Sequence, residues 1–156
     1  MDVGRGQRGA GFSLVELTLS LAIIAIVSAI AMPRYARAVA NYRAKAAAQR
    51  IAADLAQTQS YARTSSTSQS ITFNTSTNKY QIANARDLDS SANTYTVSLA
   101  DEPYRSAFGT VSLGSPAKVV FDGYGMPDRG GSLTVQSGAA TSTVTIDATT
   151  GKVVVR

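Results

Sequence analysis

Three regimes of hydrophobic spacing follow one another along the chain. Residues 12–32, FSLVELTLSLAIIAIVSAIAM, form an apolar run that contains one ionisable side chain, Glu16, and no glycine or proline. At about 1.5 Å per residue a helix of this length reaches roughly 30 Å, enough to cross the hydrocarbon core of a bilayer, so the run predicts a transmembrane helix. Pro33 removes a backbone donor and crowds the carbonyl four residues earlier, which predicts a kink or loosening over residues 29–33 without ending the helix. From Arg34 to Arg63 the chain is rich in alanine, glutamine, arginine and lysine, with no glycine or further proline, and the helix is expected to resume. Here the apolar positions thin to a stripe, Ala44, Ala48, Ile51, Leu55 and Ala62, with polar residues around the rest of the axis.

After Tyr61 alternation replaces the helical period, and threonine, serine, valine, asparagine and glycine dominate. Strands are predicted at 70–74, 79–83, 94–100, 109–113, 117–122, 132–137, 142–147 and 152–156, with TSTN and ATTG as hairpin turns. The expected fold class is α+β. A long N-terminal helix, transmembrane in its first half and kinked near Pro33, packs on a small C-terminal antiparallel β domain. Short strands over about 90 residues bury only a modest core, so the helical stripe should lie across one sheet and complete it. The domain boundaries on this reading are a leader at 1–11, the helix at 12–63 and the β domain at 64–156.

Composition narrows the chemistry. The chain has no cysteine and no histidine, which removes disulfides, thiol and imidazole catalysis and nearly all structural zinc sites. Asp87 with Asp89, and Asp101 with Glu102, fall on expected loops, where solvated turn acids are far commoner than catalytic pairs. Asp122 and Asp128 flank GYGMP at a spacing that fits a glycine-bearing turn rather than a calcium loop. No enzyme activity, cofactor or metal is expected. The net charge of +5 is local: residues 34–63 hold six basic side chains against Asp54 alone, while residues 64–156 balance seven against seven.

Glu16 remains to be explained. A carboxylate deep in a bilayer costs about 3 kcal/mol on insertion scales, so it needs a partner. Residues 9–17 read GAGFSLVEL, a glycine, then a phenylalanine opening an apolar helix, with glutamate at the fifth position from that phenylalanine. The stretch resembles the processing site of the type IV pilin superfamily, and Pro33 stands where helices of that superfamily commonly carry a proline. The resemblance implies that a prepilin peptidase cuts between Gly11 and Phe12 and methylates the new amine. The methylated amine keeps its charge four residues before Glu16, on the same helical face, and either this amine or that of a neighbouring subunit would pair with the carboxylate. On this reading the 1–11 leader, with Arg5 and Arg8, stays cytoplasmic and the β domain is periplasmic.

Later segments resemble the minor pseudopilins typified by the H subunit of type II secretion and by FimT and FimU of type IV pili. They are residues 50–73, the aromatic-acidic turn VVFDGYGMPDRGG and the C-terminal TIDATTGKVVVR. The implied role is assembly: an inner-membrane subunit drawn into a filament with other pilin or pseudopilin subunits, and in contact with secreted cargo. Two other readings compete. An ordinary secretory signal, basic at Arg5 and Arg8 with small residues at 29–31, would release a protein beginning at Met32. FimT-like DNA capture would use Lys152 and Arg156, joined by Lys118 and Arg129, but a neutral β domain offers a poor electrostatic footprint for nucleic acid. The basic helix residues 34–50 fit lipid headgroups or salt bridges to neighbouring β domains better.

Overall fold

In the computed structural model residues 12–83 and 94–156 are described. One helix, α1 (Leu14–Ser65), precedes eight strands: β1 (Gln69–Asn74), β2 (Lys79–Ala83), β3 (Thr94–Ser98), β4 (Ala107–Ser112), β5 (Lys118–Phe121), β6 (Gly131–Ser137), β7 (Ala140–Ile146) and β8 (Val153–Val155). The chain divides into two compact units, Met1–Ala36 and Arg37–Arg156. Helical structure continues through Pro33, as the alanine-rich sequence beyond it requires.

In the first unit the helix exposes its apolar side chains. Leu14 is 77% accessible and Ile24 61%, and the intervening leucines, valines and isoleucines are similarly open. Two hydroxyls here bond within the helix: Thr18 Oγ1 donates to the Val15 carbonyl at 2.9 Å and Ser20 Oγ to that of Glu16 at 2.7 Å. Hydroxyls bonded in this way need no partner outside the helix.

The second unit has a conventional interior. Its strands form two four-stranded antiparallel sheets, ordered β3-β2-β1-β5 and β4-β6-β7-β8. All five residues of the predicted stripe are buried, and Ala47 joins them. The sequence predicts that the stripe completes one sheet; in the structure it shares a core with both. Ile51 and Leu55 share one core with Ile71, Tyr80 and Phe121 from the first sheet and with Leu133, Val135, Val144 and Ile146 from the second. Phe73 lies between Tyr80 and Phe108, edge-on to the latter at 85° and 5.8 Å. Partition into two sheets follows from pairings between strands distant in sequence, β1 with β5 and β4 with β6, which alternation along single strands does not encode.

Boundaries shift slightly from expectation. The helix begins at Leu14 rather than Phe12 and runs to Ser65 rather than Arg63. β4 starts at Ala107, two residues early, and its register slips between Phe108 and Val111, a bulge that hid the strand's start from a strict two-residue period. The TSTN hairpin forms as predicted, with Asn78 at φ 52° and Asn74 Oδ1 accepting from Thr77 N at 3.1 Å. Asp87 and Asp89 lie outside the described residues.

Candidate functional site

Glu16 sits in the first turn of α1. The unpaired N–H groups there carry partial positive charge and favour a carboxylate. Ser13 precedes the helix, and its carbonyl accepts from Leu17 N at 3.1 Å, closing the first turn. Phe12 lies just before the helix and is 81% exposed. Gly11 is outside the described residues. The chain thus presents a helix start, an acid in its first turn and an uncovered apolar stem.

Where the second half of α1 meets the sheets, the interior is not wholly apolar. Asp54 falls within the buried stripe, between Ile51 and Leu55, and is 3% exposed. Its Oδ2 accepts from Tyr80 Oη at 2.5 Å and from Arg50 Nε at 3.1 Å, and Arg50 Nη2 donates to Tyr95 Oη at 2.6 Å. A buried charge is tolerated when paired and hydrogen-bonded, and this chain of contacts fastens α1 to both β2 and β3. Burial, followed by the hydrogen bond to Asp54, pushes the Tyr80 phenol pKa up, so it remains a neutral donor. Burial alone would lower the Arg50 pKa. The Asp54 charge leads the opposing contributions, and the net effect is upward. Read from the sequence, Asp54 counted only as a charge; its place inside the apolar stripe was the available signal.

At the C-terminal end of α1 two turns are tied together. Asp122 Oδ1 accepts from Tyr124 N at 2.9 Å and Met126 N at 2.8 Å, so this acid caps the turn that the sequence predicts here. Gln59 Nε2 donates to the Gly125 carbonyl at 2.8 Å and to the Thr150 carbonyl at 3.1 Å, while Arg63 Nε donates to the Tyr124 carbonyl at 3.1 Å. Gly125 has φ +77°, and a Cβ there would collide with the Arg63 side chain. In the second turn Asp147 Oδ1 accepts from the backbone and hydroxyl of Thr150 and from Thr149 N, which lowers its pKa.

The remaining candidates scatter. Glu102 pairs with Arg105 at 2.6 Å and approaches Arg43 at 3.9 Å, so one of the basic helix residues is answered by this chain's own β region. Arg50 is likewise engaged internally. Asp128 pairs with Arg129 at 2.9 Å, which occupies one member of the proposed DNA-contact set. Lys118 lies on β5. Lys152 and Arg156 flank β8 and are exposed. Arg156 shares a groove with Lys45 of α1, a residue whose sequence position indicates only the helix's polar side. Among the described residues no group of three or more Asp, Glu, His or Cys side chains is gathered to hold a metal.

Comparison with known proteins bears on both parts of the chain. Residues 6–32 match the prokaryotic N-terminal methylation motif, and residues 47–150 match the family described as type II transport protein GspH. No curated protein and no solved structure matches the chain. The second match takes in the buried half of α1 and all but the last of the eight strands. The chain therefore belongs to the GspH family, as a pseudopilin of the type IV pilin-like kind.

Proposed function

We propose that this pseudopilin is a minor filament subunit, cut between Gly11 and Phe12, methylated on the new amine, and assembled through its N-terminal helix. The observation that carries the reading is the coincidence of the methylation motif with an apolar helix that has no buried residue from Phe12 to Arg34. Before assembly lipid covers Leu14, Leu17, Leu21, Ile24 and Val27; afterwards neighbouring helices do. Exchanging lipid for helix changes apolar burial little, so specificity falls to small residues, polar pairs and β-domain contacts.

Glu16 supplies the polar pair. Its carboxylate in the first turn is stabilised by the helix N-terminus and, after cleavage, by an N-terminal amine four positions earlier or on an adjacent subunit. The stored subunit has its leader in the cytoplasm and Arg37–Arg156 in the periplasm. Family membership makes the protein a structural subunit rather than an enzyme, assembled with other pilin or pseudopilin subunits and processed by a prepilin peptidase. Mass spectrometry of the native protein tests the processing: the expected N-terminus is methylated Phe12, whereas retention of Met1 or a product beginning at Met32 contradicts it.

DNA capture receives little support. Arg129 is paired with Asp128, Lys118 lies on β5 of the first sheet, and Lys152 and Arg156 flank β8 of the second. Retardation of DNA by the purified chain at low salt would revive it.

A further inference from the structure

Four polar side chains of α1 that bond to the β region fall into two pairs. Arg50 and Asp54, about one turn apart, face the first sheet: Arg50 Nη2 donates to Tyr95 Oη on β3 at 2.6 Å, and Asp54 Oδ2 accepts from Tyr80 Oη on β2 at 2.5 Å. Gln59 and Arg63, spaced in the same way, reach the turns that follow β5 and β7, through the carbonyls of Gly125, Thr150 and Tyr124 at 2.8, 3.1 and 3.1 Å. Arg50 is nine residues from Gln59, and Asp54 nine from Arg63. At about 100° per residue that is two and a half turns, so the pairs stand on opposite sides of the helix axis. The buried residues Ile51, Leu55, Thr58 and Ala62 run between them.

These ties and the apolar stripe resist motion along the axis differently. The stripe is mostly alanine, Ala44, Ala47, Ala48 and Ala62, with Ile51 and Leu55 as its bulky members. Apolar attraction is non-directional and scales with buried area, so a short slide costs little until area is lost. A hydrogen bond weakens steeply once its distance and angle leave a narrow range. The bonds span residues 50–63, about 20 Å of helix, and an axial displacement strains all of them together. The turns they reach are held in their own right. Asp122 caps the first and Asp147 the second, and a Cβ on Gly125 or Gly151 would collide with Arg63 or Gln59.

We infer that Arg50–Asp54 and Gln59–Arg63 form a two-sided brace that keeps α1 in axial register on the sheets when the helix is pulled along its length. One side transmits the load to β2 and β3, the other to the β5–β6 and β7–β8 turns. Apolar residues of similar volume often serve stability as well as a buried ion pair does, so the directional bonds at Asp54 are better explained by register than by stability. The inference rests on the reading of the chain as a filament subunit, because drawing α1 out of a membrane applies such a load, and it adds how the sheets receive it.

Constant-force optical tweezers on the full-length chain in lipid nanodiscs test this, with handles on Ala38→Cys and Thr145→Cys; the sequence has no other cysteine. Gly138, just before β7, lies against Ala40, and Thr150, beyond the end of β7, bonds Gln59, so force between the two handles pulls α1 along its axis. Arg50→Met/Asp54→Leu/Tyr80→Phe replaces one side of the brace with apolar groups. It should keep the parental denaturant midpoint and shorten the lifetime of the docked helix about tenfold or more, because forced release follows the opening rate. Gln59→Met/Arg63→Met should shorten that lifetime to a similar degree, by more than its loss of denaturant stability accounts for, and this variant decides if the other does not fold. Parental lifetimes in the brace variants, or lifetimes that fall only in proportion to lost denaturant stability, overturn the inference. None of these outcomes touches processing at Phe12, so failure here leaves the assembly reading standing.

Discussion

The two stretches of α1 on either side of Ala36 solve opposite problems with the same backbone. Up to Ala36 the helix is apolar around its whole circumference and uncovered, and its single acid lies in the first turn. From Arg37 onward it is polar around most of its circumference, its apolar groups are confined to one stripe, and its single acid, Asp54, is buried on that stripe. The first stretch is suited to lipid or to other helices like itself. The second is committed to its own sheets. One acid lies on the uncovered stretch, and the other has Arg50 and Tyr80 within reach.

This contrast breaks first at Asp54. Asp54→Ala should cost about 3–5 kcal/mol in thermal or denaturant unfolding of the Arg37–Arg156 unit, because it strands the Tyr80 hydroxyl and part of Arg50 without their acceptor. Next is Ile51→Ala, expected to cost about 3 kcal/mol through lost burial and a residual cavity, while Ile24→Ala in the uncovered stretch should change the same unfolding transition by no more than about 0.5 kcal/mol. Equal effects of the two isoleucine substitutions would contradict the division between the stretches. Gly125→Ala should cost about 1–3 kcal/mol, since alanine is strained at φ +77° and its Cβ collides with Arg63.

The smallest effect is a pH dependence. The Tyr80 pKa is raised in the folded protein, chiefly by burial and then by its bond to Asp54. A raised value means that the neutral phenol stabilises the fold in full below the unfolded tyrosine pKa of about 10, and that this contribution declines as pH climbs above it toward the folded value. Alkaline titration of stability should therefore fall more steeply in the parent than in Tyr80→Phe. Parallel curves would mean that Tyr80 is not held neutral by its surroundings.

Much of this contrast is written in the order of residues along the chain. Continuous apolar residues declare the first stretch, and the spacing of Ala44, Ala48, Ile51, Leu55 and Ala62 marks the face that is in fact buried. GAGFSLVEL falls within the stretch that matches the N-terminal methylation motif. Local turn chemistry is legible as well, at Asn74 to Asn78 and at Asp122. What escapes is non-local. Which strands share a sheet depends on pairings such as Gln69 with Phe121, set by the global packing of the core. Asp54 looks like surface because an acid usually is, and its partners lie on strands distant in sequence. Gln59, which ties two turns to the helix, is one glutamine among several until those turns are brought beside it. Lys45 and Arg156 share a groove only because β8 returns alongside α1.

The proposed pairing of Glu16 with an N-terminal amine during assembly is tested most directly by the Glu16→Ala variant expressed in cells, with cleavage and filament incorporation followed together. The expected result is a product that still begins at Phe12 but is largely missing from sheared filaments and retained in the inner membrane. Incorporation at the parental level would contradict the pairing role, whatever the state of processing.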